Sequence, residues 1–77
     1  MPCRVGITTH PDDRKAFWEK QVVGLKNWRI LSTYRSRAKA QEHVLRHAAS
    51  YGCHAQAGGP NKSRQWHVYK FEYTRVK

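Results

Sequence analysis

The chain has 77 residues, and its formal net charge is +10 because 15 Lys and Arg residues stand against 5 Asp and Glu residues. A chain of this length buries only about 60% of the surface that its unfolded form exposes, which excludes a second domain and predicts a single basic domain over residues 1–77 with an aromatic-rich core. The charge indicates a polyanionic partner, and no apolar stretch is long enough for a membrane helix or a signal peptide, so we expect nucleic acid and no membrane.

The first predicted elements are a short strand and a helix. The apolar and β-branched residues of Val5–Thr8 favour a strand, and Gly6 within it leaves room for a close backbone approach or a ligand. A helix is expected from Asp12 to Val23, because Pro11 suits a first turn and Thr9 with the acid three residues later resembles a capping box. Gly24 is expected to end this helix.

This first helix is expected to be amphipathic. The apolar side chains expected to face inward are Ala16, Phe17, Val22 and Val23. The charged side chains expected to face outward are Arg14, Lys15, Glu19 and Lys20.

The middle of the chain predicts a second strand and a second helix. Residues Asn27–Tyr34 alternate as a strand with one aromatic face. Ser36 is a good N-cap for a helix that runs to about Tyr51, and Gly52 stops it. The apolar stripe of this helix has helical spacing and consists of Ala40, Val44, Leu45, Ala48 and Tyr51.

The last third predicts two more strands. Cys53–Ala57 is expected to form a short edge strand, followed by a polar loop over Gly58–Ser63. Gln65–Val76 alternates strictly and is the longest strand signal. Its two faces consist of Trp66, Val68, Lys70 and Glu72 and of His67, Tyr69, Phe71 and Tyr73. The sequence therefore predicts an α+β fold of order β-α-β-α-β-β, with a small, mainly antiparallel sheet of three or four strands and two helices on it.

Two cysteines, Cys3 and Cys53, could form one bridge. Without a signal peptide we expect an intracellular protein in which both are reduced and behave as small apolar residues.

The opening stretch resembles the central block of the GIY-YIG nuclease family. In that family a strand ending in glycine leads through threonine or serine into a helix with a catalytic arginine, and here Val5-Gly6-Ile7-Thr8 precedes Arg14 at the expected spacing. The resemblance continues through Trp28-Arg29-Ile30-Leu31 to a helix with Glu42, the position of the family's metal-binding glutamate. It implies phosphodiester hydrolysis with Mg²⁺ or Mn²⁺ held by Glu42.

The tyrosine of the family motif is replaced here by Arg4, and the family's first strand is missing from the amino-terminal side. The carboxyl-terminal strand could pair with the opening strand instead, which would bring Tyr69 or Tyr73 to the position of that tyrosine. Arginine and a metal would stabilise charge on the phosphate, while tyrosine or metal-bound water handles the proton.

Structural interpretations stand beside these catalytic ones. Arg14 would be a surface residue of its helix, Glu42 would pair with Arg46 one turn later, and the tyrosines would belong to the core. His43 and His47 share one helix face and could hold a transition metal, or they could be solvated members of a basic face.

Basic residues interleaved with aromatic ones, as in Lys26-Asn27-Trp28-Arg29, are typical of surfaces that neutralise phosphates and stack on bases. We expect nucleic acid, and DNA in preference to RNA, to contact Arg4, Lys15, Arg29, Arg35, Arg37, Lys39, Arg46, Lys62 and Arg64. A homodimer would allow both strands to be cut. The alternatives are a non-catalytic accessory protein, a small phage-type inhibitor of a protein or nucleoprotein, and a domain that docks on an acidic protein surface.

Overall fold

The computed structural model describes residues 2–56 and 65–77. The helices and strands in these ranges are β1 (Cys3–Thr8), α1 (Pro11–Gln21), β2 (Val22–Val23), β3 (Lys26–Tyr34), α2 (Arg37–Tyr51), β4 (His54–Gln56), β5 (Trp66–Glu72) and β6 (Arg75–Val76). Neither of these two helices has the length and apolar character needed to cross a bilayer. The predicted loop over Gly58–Ser63 lies outside the described residues.

The main sheet has four strands in the order β3-β5-β1-β4. Strand β5 is antiparallel to both β1 and β3, while β4 joins the far side of β1 in parallel. The predicted α+β fold with a small, mainly antiparallel sheet and two helices is therefore confirmed, as is the pairing of the opening strand with the carboxyl-terminal strand.

The order of elements differs from the prediction because two short strands form a separate ribbon. Strand β2 pairs with β6, so the predicted long last strand is interrupted after Glu72. The Thr74 amide donates to the Val23 carbonyl at 2.8 Å, which fixes the break.

Alternate residues of β5 point to opposite faces of the sheet, as predicted. On the first face, called here the α2 face, Trp66 and Val68 pack with Val5, Ile7, Ala40 and Val44. On the second, called the α1 face, Tyr69, Phe71 and Tyr73 pack with Trp18 and Val22. The helices thus cover opposite sides of the sheet, and each has its own core cluster.

The first helix differs from its prediction in extent and orientation. It begins at Pro11, and its N-cap is His10, whose side chain makes no capping hydrogen bond to the helix, so the Thr9 capping box was wrong. It ends at Gln21, because the following residues are extended in β2. Gly24 does not end the helix but lies between β2 and β3, with a φ of +74°. Trp18 is the residue that it buries.

The inward set predicted for α1 was also wrong in part. Phe17 is 43% exposed and Ala16 is exposed, whereas Val22 is buried. The large indole of Trp18 fills the space between α1 and the sheet, so Ala16 and Phe17 face away from the sheet.

Strand β3 does not have the single aromatic face that alternation predicts. Register shifts occur between Lys26 and Arg29 and again between Ile30 and Ser32. Each bulge reverses the side on which the following residues lie. Trp28 therefore packs on the α1 face, while Tyr34 packs against the cluster on the α2 face.

The second helix follows its prediction closely. Ser36 caps it by accepting a hydrogen bond from the Lys39 amide at 3.4 Å, and Gly52 ends it in the left-handed conformation with a φ of +68°. Leu45 and Tyr51, which were expected to face inward, are 57% and 66% exposed. The buried stripe is therefore narrower than predicted and consists of Ala40, Val44 and Ala48.

Cys3 and Cys53 form a disulfide, so the expectation of reduced thiols was wrong. Their Cα atoms are 4.8 Å apart because the start of β1 lies beside the residue that leads into β4. The spacing of 50 residues gave no sign of this proximity, which depends on the parallel pairing of the two strands.

Candidate nucleic-acid interface

Positive charge is concentrated in one segment of the chain. Between Glu19 and Glu42 there is no acidic residue, and the basic residues there are Lys20, Lys26, Arg29, Arg35, Arg37 and Lys39. Only one ion pair, Glu42 with Arg46, links side chains within residues 2–56 and 65–77. Since the chain has 5 acids for its 15 Lys and Arg, most positive charge is not neutralised internally.

The fold places five of these six basic residues along one edge of the main sheet, while Lys20 lies on α1. Strand β3 is the edge strand, and Arg35 and Ser36 connect it directly to the start of α2. We call this surface the basic edge, and its members, all exposed, are Lys26, Arg29, Arg35, Arg37 and Lys39. Strand β3 has nine residues and extends about 30 Å, the reach of several nucleotides.

The start of α2 favours anions. Its first turn contains no acidic residue, although acids are the residues that the positive end of a helix dipole prefers. Arg37 and Lys39 lie there instead, and the Arg37 guanidinium also lies over the Trp66 ring at 5.8 Å. These cations are repelled by the positive end of the helix dipole. A bound phosphate would offset this repulsion.

Arg4 and Arg46, two more of the predicted phosphate contacts, also have structural partners. The Arg4 guanidinium lies over the Trp18 ring at 5.1 Å and the Tyr73 ring at 5.6 Å, and its Nη1 donates to Gln56 Oε1 at 3.1 Å. Arg46 Nη2 binds Glu42 Oε1 at 2.6 Å. Lys15 is exposed on α1, and Lys62 and Arg64 lie outside the described residues.

The predicted catalytic side chains Arg14 and Tyr69 lie on the same side of the sheet. Gly6 pairs with Tyr69 across β1 and β5, which is the strand pairing needed for Tyr69 to take the position of the family's tyrosine. Burial raises the pKa of the Tyr69 hydroxyl, while its hydrogen bond from Trp18 and the charges of Arg14 and Arg4 oppose that shift. Arg14 is partly exposed beside a depression of about 290 Å³, and its guanidinium lies 5.1 Å from the Phe17 ring centre.

The glutamate and the second tyrosine are placed differently. Glu42 lies on α2, which covers the opposite face of the sheet from α1 and Arg14, and it is 67% exposed in its pair with Arg46. Tyr73 is 4% exposed in the core beneath Arg4. The structure brings Arg14 and Tyr69 together on one face and does not bring Glu42 to them.

The two helix histidines take part in a row of rings along α2. His43 Nδ1 lies 3.0 Å from the Tyr34 hydroxyl, and the His47 ring stacks on Tyr51 at 4.3 Å between centres. Burial lowers the pKa of His47, and the charges of Lys70 and His43 lower it further. No group of three or more metal-ligating side chains occurs among the residues that the structure describes.

Trp28 and its surroundings form a feature that the sequence only partly indicated. A depression of about 660 Å³ lies between α1 and the start of β3, and its walls include Lys15, Glu19, Lys26 and Trp28. The signal available in the sequence was the run Lys26-Asn27-Trp28-Arg29, in which basic residues surround an aromatic one. Lys15 and Glu19 come from α1, a separate element earlier in the chain, so their contribution depends on the fold.

No known family model, curated protein or solved structure matches this chain. The resemblance to GIY-YIG nucleases therefore rests on the residues of the opening stretch and stays a prediction.

Proposed function

We propose that this chain binds nucleic acid through the basic edge, as a binding protein that does not cleave its target. The observation that carries this proposal is the segment between Glu19 and Glu42, which has six basic residues and no acid and which places five of the six on one edge strand and the adjoining helix start. Cations spread along one edge can contact several phosphates of one strand, and phosphate contacts supply most of the affinity of such proteins.

Protection of the sheet edge explains only part of this pattern. Charged residues on an exposed edge strand prevent it from pairing with other chains, which accounts for Lys26 and Arg29 on β3. It does not account for Arg35, Arg37 and Lys39, which follow the strand and lie at the unfavourable end of α2. An anionic partner explains both groups of residues.

Binding without cleavage is favoured by the positions of the residues that catalysis would use. The pairing of Gly6 with Tyr69 supports the family-like arrangement, and Arg14 lies on the same face. Glu42, which would hold Mg²⁺ or Mn²⁺, lies on the other face in an ion pair with Arg46. An accessory protein that binds DNA fits this arrangement better than a nuclease does.

The test is fluorescence anisotropy with labelled DNA at 50 to 200 mM salt. We expect the affinity of the wild type to fall steeply with salt. The double variant R35Q/K39Q should reduce the slope of log affinity against log salt by about 1.4 to 1.8. Each lost phosphate contact contributes about 0.7 to this slope for a single strand and about 0.9 for a duplex. The matched control is K20Q/R75Q, which also lowers the net charge from +10 to +8 but changes exposed residues outside the basic edge. Equal losses in the two variants would contradict the location, and no binding at 50 mM salt would contradict the function.

A further inference from the structure

The depression between α1 and the start of β3 has an aromatic wall with basic residues beside it. Trp28 is half-buried there, and Lys15 and Lys26, both exposed, contribute to the same walls. We call this place the Trp28 depression. Its volume of about 660 Å³ is large enough for a nucleobase and its sugar.

The indole of Trp28 is held in place from within the core. It stacks on Tyr69 with 4.9 Å between ring centres and an angle of 15°, and on Phe71 at 5.7 Å and 24°. A ring supported in this way loses little conformational entropy when a ligand stacks on it. Trp28 is therefore a rigid aromatic platform in the wall of the depression.

The backbone that presents this platform is irregular. The register of β3 against β5 shifts between Lys26 and Arg29, and Asn27 within that bulge has a φ of +56°. The bulge turns Trp28 to the α1 face, and bulges of this kind occur next to binding sites because they re-aim a side chain. A regular strand would have aligned Trp28 with Tyr34, on the α2 face.

We propose that the Trp28 depression receives an unpaired nucleobase of a single-stranded nucleic acid, which stacks on Trp28 while Lys15 and Lys26 bind the flanking phosphates. This inference rests on the proposed function and specifies its substrate class. Bases in a duplex are already stacked on their neighbours and are not free to enter such a depression. Aromatic platforms with nearby cations are the usual means of binding single strands.

The position of the depression fits a strand that continues along the basic edge. Lys26 belongs to both surfaces, and Arg29 follows on the same strand. A single strand with one base on Trp28 can then pass along β3 toward Arg35. The two sites together make a path of about 30 Å, within the 4 to 16 nucleotides that small single-strand binding domains cover.

The experiment uses the intrinsic fluorescence of the protein together with anisotropy of labelled DNA. The three tryptophans are Trp18, Trp28 and Trp66, and Trp18 and Trp66 are only 8% and 3% exposed. Quenching by a stacked base therefore reports on Trp28. We expect a 12-nucleotide oligo(dC) to quench the fluorescence as it binds, and a duplex of equal length to bind with little quenching.

The variant W28L tests the platform, because leucine keeps an apolar side chain against Tyr69 but offers no ring. We expect its affinity for the single strand to fall roughly 5- to 100-fold, the loss that one stacking contact produces, with the duplex affinity unchanged. The control is F17L, which removes a 43% exposed ring on α1 outside the walls of the depression and should leave both affinities unchanged. The variant K15Q leaves the core and the basic edge intact, and it should weaken single-strand binding more than duplex binding.

The outcomes separate this inference from the proposed function. Binding of the single strand without quenching, or an equal loss of single-strand and duplex affinity in W28L, would overturn the Trp28 site and leave the basic edge in place. If W28L does not fold, quenching of the wild-type protein and the K15Q variant decide the question. No anisotropy change with either DNA would overturn the proposed function itself.

Discussion

The Tyr69 hydroxyl accepts a hydrogen bond from Trp18 Nε1 at 3.0 Å inside the core of the α1 face. Gly6 lies directly across from Tyr69, and a Cβ atom at Gly6 would come within 2.5 Å of the hydroxyl oxygen. The glycine of the opening stretch is therefore required by the tyrosine ring that lies over it. The hydroxyl is buried and hydrogen bonded, and burial raises its pKa.

Replacing Tyr69 with phenylalanine should destabilise the fold by about 1 to 3 kcal/mol, because the buried Trp18 N–H would lose its acceptor. The free energy of unfolding in urea measures this effect. The control Y51F changes a tyrosine that is 66% exposed and should stay within about 0.5 kcal/mol of the wild type. Equal stabilities of Y69F and the wild type would show that the hydrogen bond contributes nothing.

The nuclease hypothesis predicts loss of plasmid nicking in both R14A and E42Q. We expect instead that supercoiled plasmid with Mg²⁺ or Mn²⁺ remains intact with the wild type, because Arg14 and Glu42 lie on opposite faces of the sheet. Agarose gels of plasmid incubated with each protein give the result. Metal-dependent nicking that disappears in R14A and in E42Q alike would re-establish the enzyme and contradict the binding-only proposal.

The disulfide between Cys3 and Cys53 should contribute about 4 kcal/mol to stability, since it closes a loop of 50 residues in the unfolded chain. Urea unfolding with and without reductant measures this contribution. The variant C3S/C53S should match the reduced protein and should not respond to reductant, because the chain has no other cysteine. An unfolding midpoint that reductant does not shift would contradict the bridge.

Much of the fold follows from local patterns. The Ser36 cap and the alternation in β5 are visible in the sequence, because capping and period-two patterning depend on near neighbours. The pairing of β1 with β5 was expected from the family resemblance and not from a local pattern. The two bulges of β3 are not visible, since they arise from how that strand fits β5. The disulfide likewise depends on a parallel contact between β1 and β4 that no local pattern encodes.

In the candidate site, too, the sequence predicted the features that depend on near neighbours and missed those that depend on contacts between distant elements. The basic residues that follow β3 were predicted as a group, because the helix start at Ser36 and the preceding strand are local features. Arg4 was predicted to contact phosphate, but its partners Trp18 and Tyr73 come from distant elements. The position of Glu42 relative to Arg14 was also beyond local reasoning, because spacing along the chain does not determine the face of the sheet on which a helix packs.

Acid should destabilise the protein through His47. The pKa of this residue lies below its ordinary value of 6.5 in the folded state, because of burial and the nearby charges of Lys70 and His43. The unfolded chain therefore binds the proton more tightly, and the free energy of unfolding should fall as the pH drops below about 6.5. Urea unfolding between pH 8 and 5 should show this decline, and H47Q should show a shallower one. The control H54Q changes an exposed histidine on β4 and should keep the wild-type slope.

Glu19 should give the Trp28 depression a preference among bases. Its carboxylate belongs to the same walls as Trp28, and it can accept a hydrogen bond from the exocyclic amino group of cytosine but not from the carbonyl at the same position of thymine. We expect oligo(dC) to bind at least about 5-fold more tightly than oligo(dT), the lower end of the discrimination that one such contact provides.

The variant E19Q removes the negative charge and supplies a donor as well as an acceptor, so the ratio of the two affinities should approach one. D12N is the matched control, because it removes the same charge from an exposed position at the start of α1, outside the depression, and should preserve the ratio while raising both affinities slightly. The ratio is insensitive to changes in overall charge, since phosphate attraction acts equally on both oligonucleotides. A wild-type ratio near one would show that Glu19 does not contact the base, whereas an unchanged ratio in E19Q would assign the preference to another group.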